Sequence, residues 1–322
     1  MKYLFSLICA LTGYCCCAQQ SGYDASDDIP YRPRIGEVTL NTLYNYQTAS
    51  ESAAFGEGAS EIEVDQQIKL RLGVPIIMKE NTLMGLQLKY DNHDFTVNHQ
   101  HPENTALYEH VKHARFKNLG ARFMINQTLA ENKELTIVVG AEIKSDRLEF
   151  NENTSKTYVN VNYRVQKNNR VRMGGGIAVC YTHKVPQVYP IFFYENKISR
   201  KWTVDLALPK SAVMRLKVNP KTYLSFKAEV KGWRYAIHNT ALSEQNPLTI
   251  RKSDVHFGIN FEREIYDWLW LGIDTGFAKN LRNYIAAPGD RRRDAIVDVN
   301  AGDAPYTTFS IFFVPPKKIY KQ

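Results

Sequence analysis

Beyond position 17 the 322-residue chain contains a single cysteine, Cys180; the other four (Cys9, Cys15, Cys16 and Cys17) crowd into its first 17 residues. One remaining thiol excludes an intramolecular disulfide framework in the rest of the chain. There is no run of 18 apolar residues, which excludes helical membrane spans. No nucleophile elbow, phosphate loop or metalloprotease helix occurs. The glycines of "MGGGIAV" (Gly174, Gly175, Gly176) lack the helix that a nucleotide-binding turn must lead into. The basic run "GDRRRDA" (Arg291, Arg292, Arg293) lacks the interleaved aromatics of a nucleic-acid surface, so no nucleic-acid partner is expected. The length allows one large domain or two ordinary ones, and no low-complexity linker or composition shift marks a boundary.

The first residues account for the crowded cysteines. "MKYLFSLICALTGYCCCAQQSG" has one lysine, an apolar run of about 15 residues and a small-residue exit, the layout of a secretory signal peptide. A span would need about 20 residues, and a buried N-terminal helix is the alternative. A lipoprotein anchor needs a small residue before its cysteine, whereas Tyr14 precedes Cys15. Cleavage is expected near Ala18 or Gln19, giving a signal peptide over 1–19 and export. Loss of Lys2 lowers the formal net charge from +8 by one, and the mature chain stays basic.

What the chain does have is alternation. In "IEVDQQIKLRLGVPIIM", Ile62, Val64, Ile68, Leu70, Leu72, Val74 and Ile76 alternate with Glu63, Asp65, Gln67, Lys69 and Arg71. Successive strand side chains point to opposite faces, so such a strand has one greasy and one charged face. The pattern recurs in about fourteen segments, beginning near Gly36, Ile62, Thr82, Ala114, Glu134, Thr157, Val171, Val188, Trp202, Ala212, Tyr223, Asp254, Trp268 and Pro305. The connections sort by parity. Even ones such as "KENT", "LAENK" and "NPK" are tight; most odd ones, such as "NHQHPENTALYEHVK", are long, with "HKVPQ" and "PKS" the short exceptions. Short periplasmic turns alternating with longer extracellular loops are the layout of a transmembrane antiparallel β-barrel. The expected fold is therefore all-β, an up-and-down barrel of 12–14 strands after a cleaved signal peptide. A secreted β-sandwich also alternates, but gives no reason for loops to sort by parity.

In a barrel the apolar sets face lipid and the charged sets face the lumen. The lumen-lining candidates are Lys69, Arg71, Lys89, Arg122, Glu142, Arg164, Arg172, Lys227, Glu229 and Asp274, with Glu63, Asp65, Asp91, Lys144, Arg215, Lys217, Lys231, Asp254 and Glu262 beside them. Such residues either set a field for a selective pore or cross-link a closed interior as ion pairs. Interfacial aromatic girdles are expected from Trp202, Trp268, Trp270, Tyr223 and Tyr266 at the turns, and from Tyr90, Phe95, Tyr181 and Tyr235 towards the loops.

Five of the eight histidines (His93, His99, His101, His110 and His113) cluster in one stretch, with His183 and His238 near other loops. Imidazoles at that density can bind zinc or copper, but no ligand spacing accompanies them, so neither metal nor cofactor is expected. Asp91, His93 and Asp94 could be read as the base and orienting acid of a rim-active hydrolase; with no nucleophile motif beside them, no enzymatic activity is expected.

"CAQQ" at the signal exit, "PIFFYENKISRKWTVDLALPKSAVMRLKV" and the closing "TTFSIFFVP" together resemble the uncharacterised outer-membrane β-barrel proteins of Gram-negative bacteria. The resemblance implies residence in the outer membrane, with lipid, lipopolysaccharide and the barrel-insertion machinery as partners. Many such barrels end on an aromatic residue, whereas here Phe313 is followed by "VPPKKIYKQ". The expected organisation is a signal peptide (1–19), a periplasmic segment or plug (20–35), the barrel (36–316) and a tail (317–322). The expected function is a pore or transporter for small polar solutes, and the alternative a closed barrel with a structural or surface-interaction role.

Overall fold

The computed structural model describes residues 34–52, 56–98, 115–238 and 247–316. Fifteen strands follow in chain order: β1 (Gly36–Ser52), β2 (Gly56–Lys79), β3 (Thr82–Asn98), β4 (Phe116–Ala130), β5 (Lys133–Ser145), β6 (Ser155–Gln166), β7 (Val171–Thr182), β8 (Val185–Lys197), β9 (Trp202–Leu208), β10 (Ser211–Asn219), β11 (Thr222–Ile237), β12 (Leu248–Tyr266), β13 (Leu269–Ala286), β14 (Val297–Ala301) and β15 (Ala304–Phe313). Consecutive strands from β1 to β13 pair antiparallel. β14 and β15 both lie between β13 and β1, interrupted at Gly302 and Asp303, and make one broken stave. The result is a closed all-β barrel of fourteen antiparallel staves, with the first and last described residues at the tight-turn end.

The outer surface follows from the alternation. Leu70, Leu72, Val74, Leu86, Leu88, Val159, Ile177, Phe257, Ile259, Ile273, Phe309 and Ile311 all point outwards and are exposed, Leu72 by 56%. A continuous apolar exterior on a closed wall is what hydrocarbon demands, because backbone donors and acceptors there pair between neighbouring staves. At the turn end Trp268 stacks on Tyr266 and on Phe313, at 5.9 and 5.8 Å between centroids, and forms part of an aromatic girdle.

Several expectations require correction, and bulges explain some of them. β2 and β12 begin at Gly56 and Leu248, six residues earlier than their alternation. The alternation slips at Asn45, which takes φ 43°, and at Glu63, where β2 shifts register against β3. One extra residue reverses which side chains face inwards. Ile62 therefore points into the barrel and Glu63 out of it, the reverse of the simple pattern. Trp270, Tyr223, Phe95 and Tyr235, expected in the girdles, point inwards and are buried. Cys180 is buried on β7, its Sγ 3.6 Å from Oε1 of Gln187; the other four cysteines lie outside the described residues.

The staves differ in height, and this decides the interior. β10 pairs with β11 only as far as Ser211 against Glu229, and β8 pairs with β9 only over Phe192–Lys197. Above those points β8 pairs with no strand on that side among the described residues, and the sequence places Pro186 and Pro190 there, residues a sheet tolerates at an edge because they have no N–H to leave unpaired. The upper part of β11 instead crosses to β5, with Ala236 paired in parallel to Ser145 and the amide of Asp146 donating to the Ala236 carbonyl at 3.1 Å. At the loop end the nine strands β1–β5 and β11–β14 thus close a smaller ring inside the fourteen-stave wall. Rings near eight strands are just wide enough for side chains to fill. This one is filled by Leu43, Tyr46, Ile62, Phe95, Val97, Phe116, Tyr235, Ile237, Leu248, Ile250, Ile285, Val297 and Val299.

The apolar exterior has a direct test. Leu88→Arg, on the outer face of β3, should lower unfolding free energy in a lipid or detergent host by about 2–4 kcal/mol. Urea titration followed by gel mobility measures it; an unchanged midpoint would mean this face is not in hydrocarbon.

Candidate functional site

Below the filled ring lies a cavity of about 530 Å³ that reaches from the turn-end rim (Ile35, Pro75, Leu83, Phe312, Val314) up to His93, Trp233 and Tyr235 under the apolar core. Nine of the ten lumen candidates, Lys69, Arg71, Lys89, Arg122, Arg164, Arg172, Lys227, Glu229 and Asp274, line it. The tenth, Glu142, is buried just behind, 3.1 Å from both Lys89 and Lys144. Their spacing follows from period two: Arg71, Lys69, Gln67 and Asp65 are successive inward positions on β2, as Gln87, Lys89, Asp91 and His93 are on β3.

The charges are organised as ladders across neighbouring strands. Arg71 meets Asp91 at 2.5 Å, Asp91 accepts from Asn118 at 2.7 Å, and Lys89 sits 3.7 Å from Asp91 and 3.1 Å from Glu142. On the facing wall Lys227 binds Asp274 at 2.5 Å, and the Tyr306 hydroxyl donates to Asp274 at 3.1 Å while lying over Gly258. A Cβ at Gly258 would sit 2.1 Å from that hydroxyl, so glycine is required for the close approach. At the turn end Arg34 bridges Glu37 (2.7 Å) and Glu262 (2.9 Å) and stacks on Phe312.

The most deeply set cluster joins the cavity to the apolar core. Asp65 receives Lys252 at 3.0 Å and the Tyr46 hydroxyl at 2.9 Å, and lies 2.5 Å from Nε2 of His93. Lys252 also lies 3.6 Å from Asp254, and His93 packs between Phe95 and Trp233. Sequence reading identified Asp65 and His93, but not that Lys252, 187 positions away in the chain, completes the group; only ring closure brings β2 and β12 face to face. Asp94, expected beside Asp91 and His93, faces the other side of the sheet and accepts from Asn92. The proposed acid–base set therefore does not converge. His99, His101, His110 and His113 lie outside the described residues.

At the loop end Ser145, Asp146 and His238 meet. Asp146 Oδ1 and Ser145 Oγ lie 2.7 and 3.3 Å from the same ring nitrogen, Nδ1 of His238. A nucleophilic triad needs acid and hydroxyl on opposite nitrogens, so this group is a clasp that fastens β11 to β5. Beside it Arg234 donates to the Thr182 carbonyl at 3.1 Å. His183, in the β7–β8 turn, is fully buried near Thr249. Burial above all, then Arg234 and Lys144, holds its imidazole well below the usual histidine range. Among the described residues no group of three or more histidine, cysteine or carboxylate side chains could hold a metal ion.

With this geometry in hand, residues 42–287 match the family described as Domain of unknown function (DUF6268). The chain belongs to that family. The search of curated proteins finds no match. Among solved structures the chain is similar to the COG4313 outer membrane channel from Pseudomonas putida F1, at 10% identity and TM-score 0.43, over 88% of this chain and 96% of that one. It is also similar to the toluene transporter TodX of Pseudomonas putida, at 8% identity and TM-score 0.38, over 90% of this chain and 93% of that one. A FadL homologue of Pseudomonas aeruginosa matches at 8% and 0.37, over 88% and 90%. Likenesses at this level name no solute for the DUF6268 chain.

Two outcomes follow for these groups. Lys252→Met strands Asp65 in a buried site and should cost about 3–5 kcal/mol, whereas Lys252→Met with Asp65→Leu should recover most of it; urea unfolding of the pair decides this. For His183 the folded pKa lies below the unfolded value of about 6.5, so its stabilisation is complete above that pH and is lost as pH falls beneath it. Protection factors at the β7–β8 turn, with the intrinsic pH dependence of exchange divided out, should fall between about pH 6.5 and 5 in the wild type, and this acid-dependent component should vanish in His183→Gln.

Proposed function

We propose that this chain is an outer-membrane barrel that admits small polar solutes to its lumen from the periplasmic side and passes them when its extracellular half opens. The observation that supports this most is the contrast along one axis. A charged cavity of about 530 Å³ occupies the turn end, and a dry apolar core fills the loop end. Tight turns, with the first and last described residues beside them, support placing the turn end at the periplasm. The cavity's charged wall favours hydrated, polar cargo. The filled ring makes the present conformation a closed one, and its narrowest closure is the contact between β5 and β11: one bridged residue pair, Ala236 with Ser145, and the His238–Asp146 clasp, with the Arg234 bond to Thr182 tying β11 to β7 beside it. The wall suits lipid and lipopolysaccharide outside, insertion requires the barrel-assembly machinery, and no catalytic step or cofactor is assigned.

The packed core also favours a second reading, a permanently closed barrel that presents its long loops for surface interactions. Planar-bilayer recording separates the two. The wild type should be silent or open rarely, and Asp146→Ala with His238→Ala should show ohmic steps far more often. Silence from both proteins, with correct folding shown by gel mobility, would favour the closed barrel.

A further inference from the structure

The cavity wall carries more positive charge than its own carboxylates neutralise. Twelve lysine and arginine residues line it against nine aspartates and glutamates, an excess of three; counting Glu142 behind the wall still leaves two. The excess has a location. Lys69 on β2 and Lys231 on β11 both line the cavity. Neither makes a hydrogen bond or ion pair among the described residues. Lys231 lies over the Tyr306 ring at 5.2 Å. The carboxylate that both feel, Glu229, is already shared by Lys210 and Lys227, at 3.9 and 4.0 Å.

His256 on β12 lines the same cavity, is 2% exposed and lies 4.5 Å from the Tyr306 ring that Lys231 also covers. Its Nδ1 has no hydrogen-bond partner. Both lysines lie within electrostatic reach of it. Buried polar atoms are normally paired, and an orphan needs an explanation. Two ammonium groups without direct partners and an imidazole nitrogen without one, converging from three strands in a confined space, make a receptor for something that supplies oxygen acceptors and negative charge.

We infer that Lys69, Lys231 and His256 form a binding site for a small oxyanion, a carboxylate or phosphate carried on a compact solute. The inference rests on the lumen being the functional compartment, and names the class of solute held there. The binding is non-covalent: the two ammonium groups donate charge-assisted hydrogen bonds, which are stronger than neutral ones, and the ring nitrogen completes the cradle in whichever protonation state the anion favours. A cavity of about 530 Å³ has room for phosphate and for short dicarboxylates.

Equilibrium binding tests this without any requirement that the barrel conduct. Titration calorimetry of the detergent-solubilised full chain with succinate and, separately, inorganic phosphate should give saturable binding of at least one. Which of them binds distinguishes the carboxylate source from the phosphate source. Affinity should fall roughly tenfold in Lys69→Gln and again in Lys231→Gln, while Lys279→Gln, on an exposed pair with Asp303, should bind as wild type. Gel mobility and the unfolding midpoint confirm that each variant is folded. Absence of saturable binding of both anions, or equal affinity in the folded double variant, overturns the site. A barrel that binds an anion while both the wild type and the Asp146→Ala, His238→Ala variant stay silent would sink only the transport reading, and a conducting barrel that binds none would sink only this one.

Discussion

The interior of this barrel depends on one unmet pairing. Strand β11 continues from Val230 to Ile237 after its neighbour β10 has ended, and a strand edge left bare in an apolar surround costs several kcal/mol for each unpaired backbone group. β11 relieves part of this by leaning across the lumen to β5, and everything above follows from that lean. It shrinks the ring to nine strands, brings inward side chains from opposite walls into contact, and lets Phe95, Phe116, Tyr235 and Ile250 pack as a core. The stretch of β8 left behind is the one that carries Pro186 and Pro190, so the local sequence agrees with the global arrangement.

Beneath the core the wall keeps its full fourteen staves and cannot be filled by side chains, which is why the cavity sits there. The charges that line it are mostly spent on one another. Ladders such as Arg71–Asp91–Lys89–Glu142 return much of the desolvation cost of holding ions inside a wall. They contribute less to net stability than to fixing which strands stand side by side. The exceptions, Lys69 and Lys231, matter for the opposite reason: they are held in place by the wall but not neutralised within contact distance.

A large part of this was legible in the residues. The fourteen staves, their order, the sorting of tight turns from long loops and the lipid-facing set of Leu70, Leu72, Leu88, Phe309 and Ile311 all come from period two. Local periodicity loses its phase at a bulge, however, and Asn45 and Glu63 have no signature strong enough to mark one. Ile62 was therefore placed on the wrong face. Aromatics gave a second ambiguity. Trp268 and Trp270 are two residues apart and so share a face in an ideal strand, yet Trp268 precedes β13, in the turn, and stays outside while Trp270 is buried.

By itself the sequence determined the architecture and its two-faced wall, because alternation and turn chemistry act within a few residues of each other. Only the tertiary structure decided what the wall encloses. The cluster of Asp65, His93, Tyr46 and Lys252, the Ser145–Asp146–His238 clasp and the division of the lumen into a charged cavity and a dry core all join residues far apart in the chain. They exist because β11 meets β5, a long-range contact fixed by the unequal heights of staves. No local pattern of residues encodes which of two distant strands will end first.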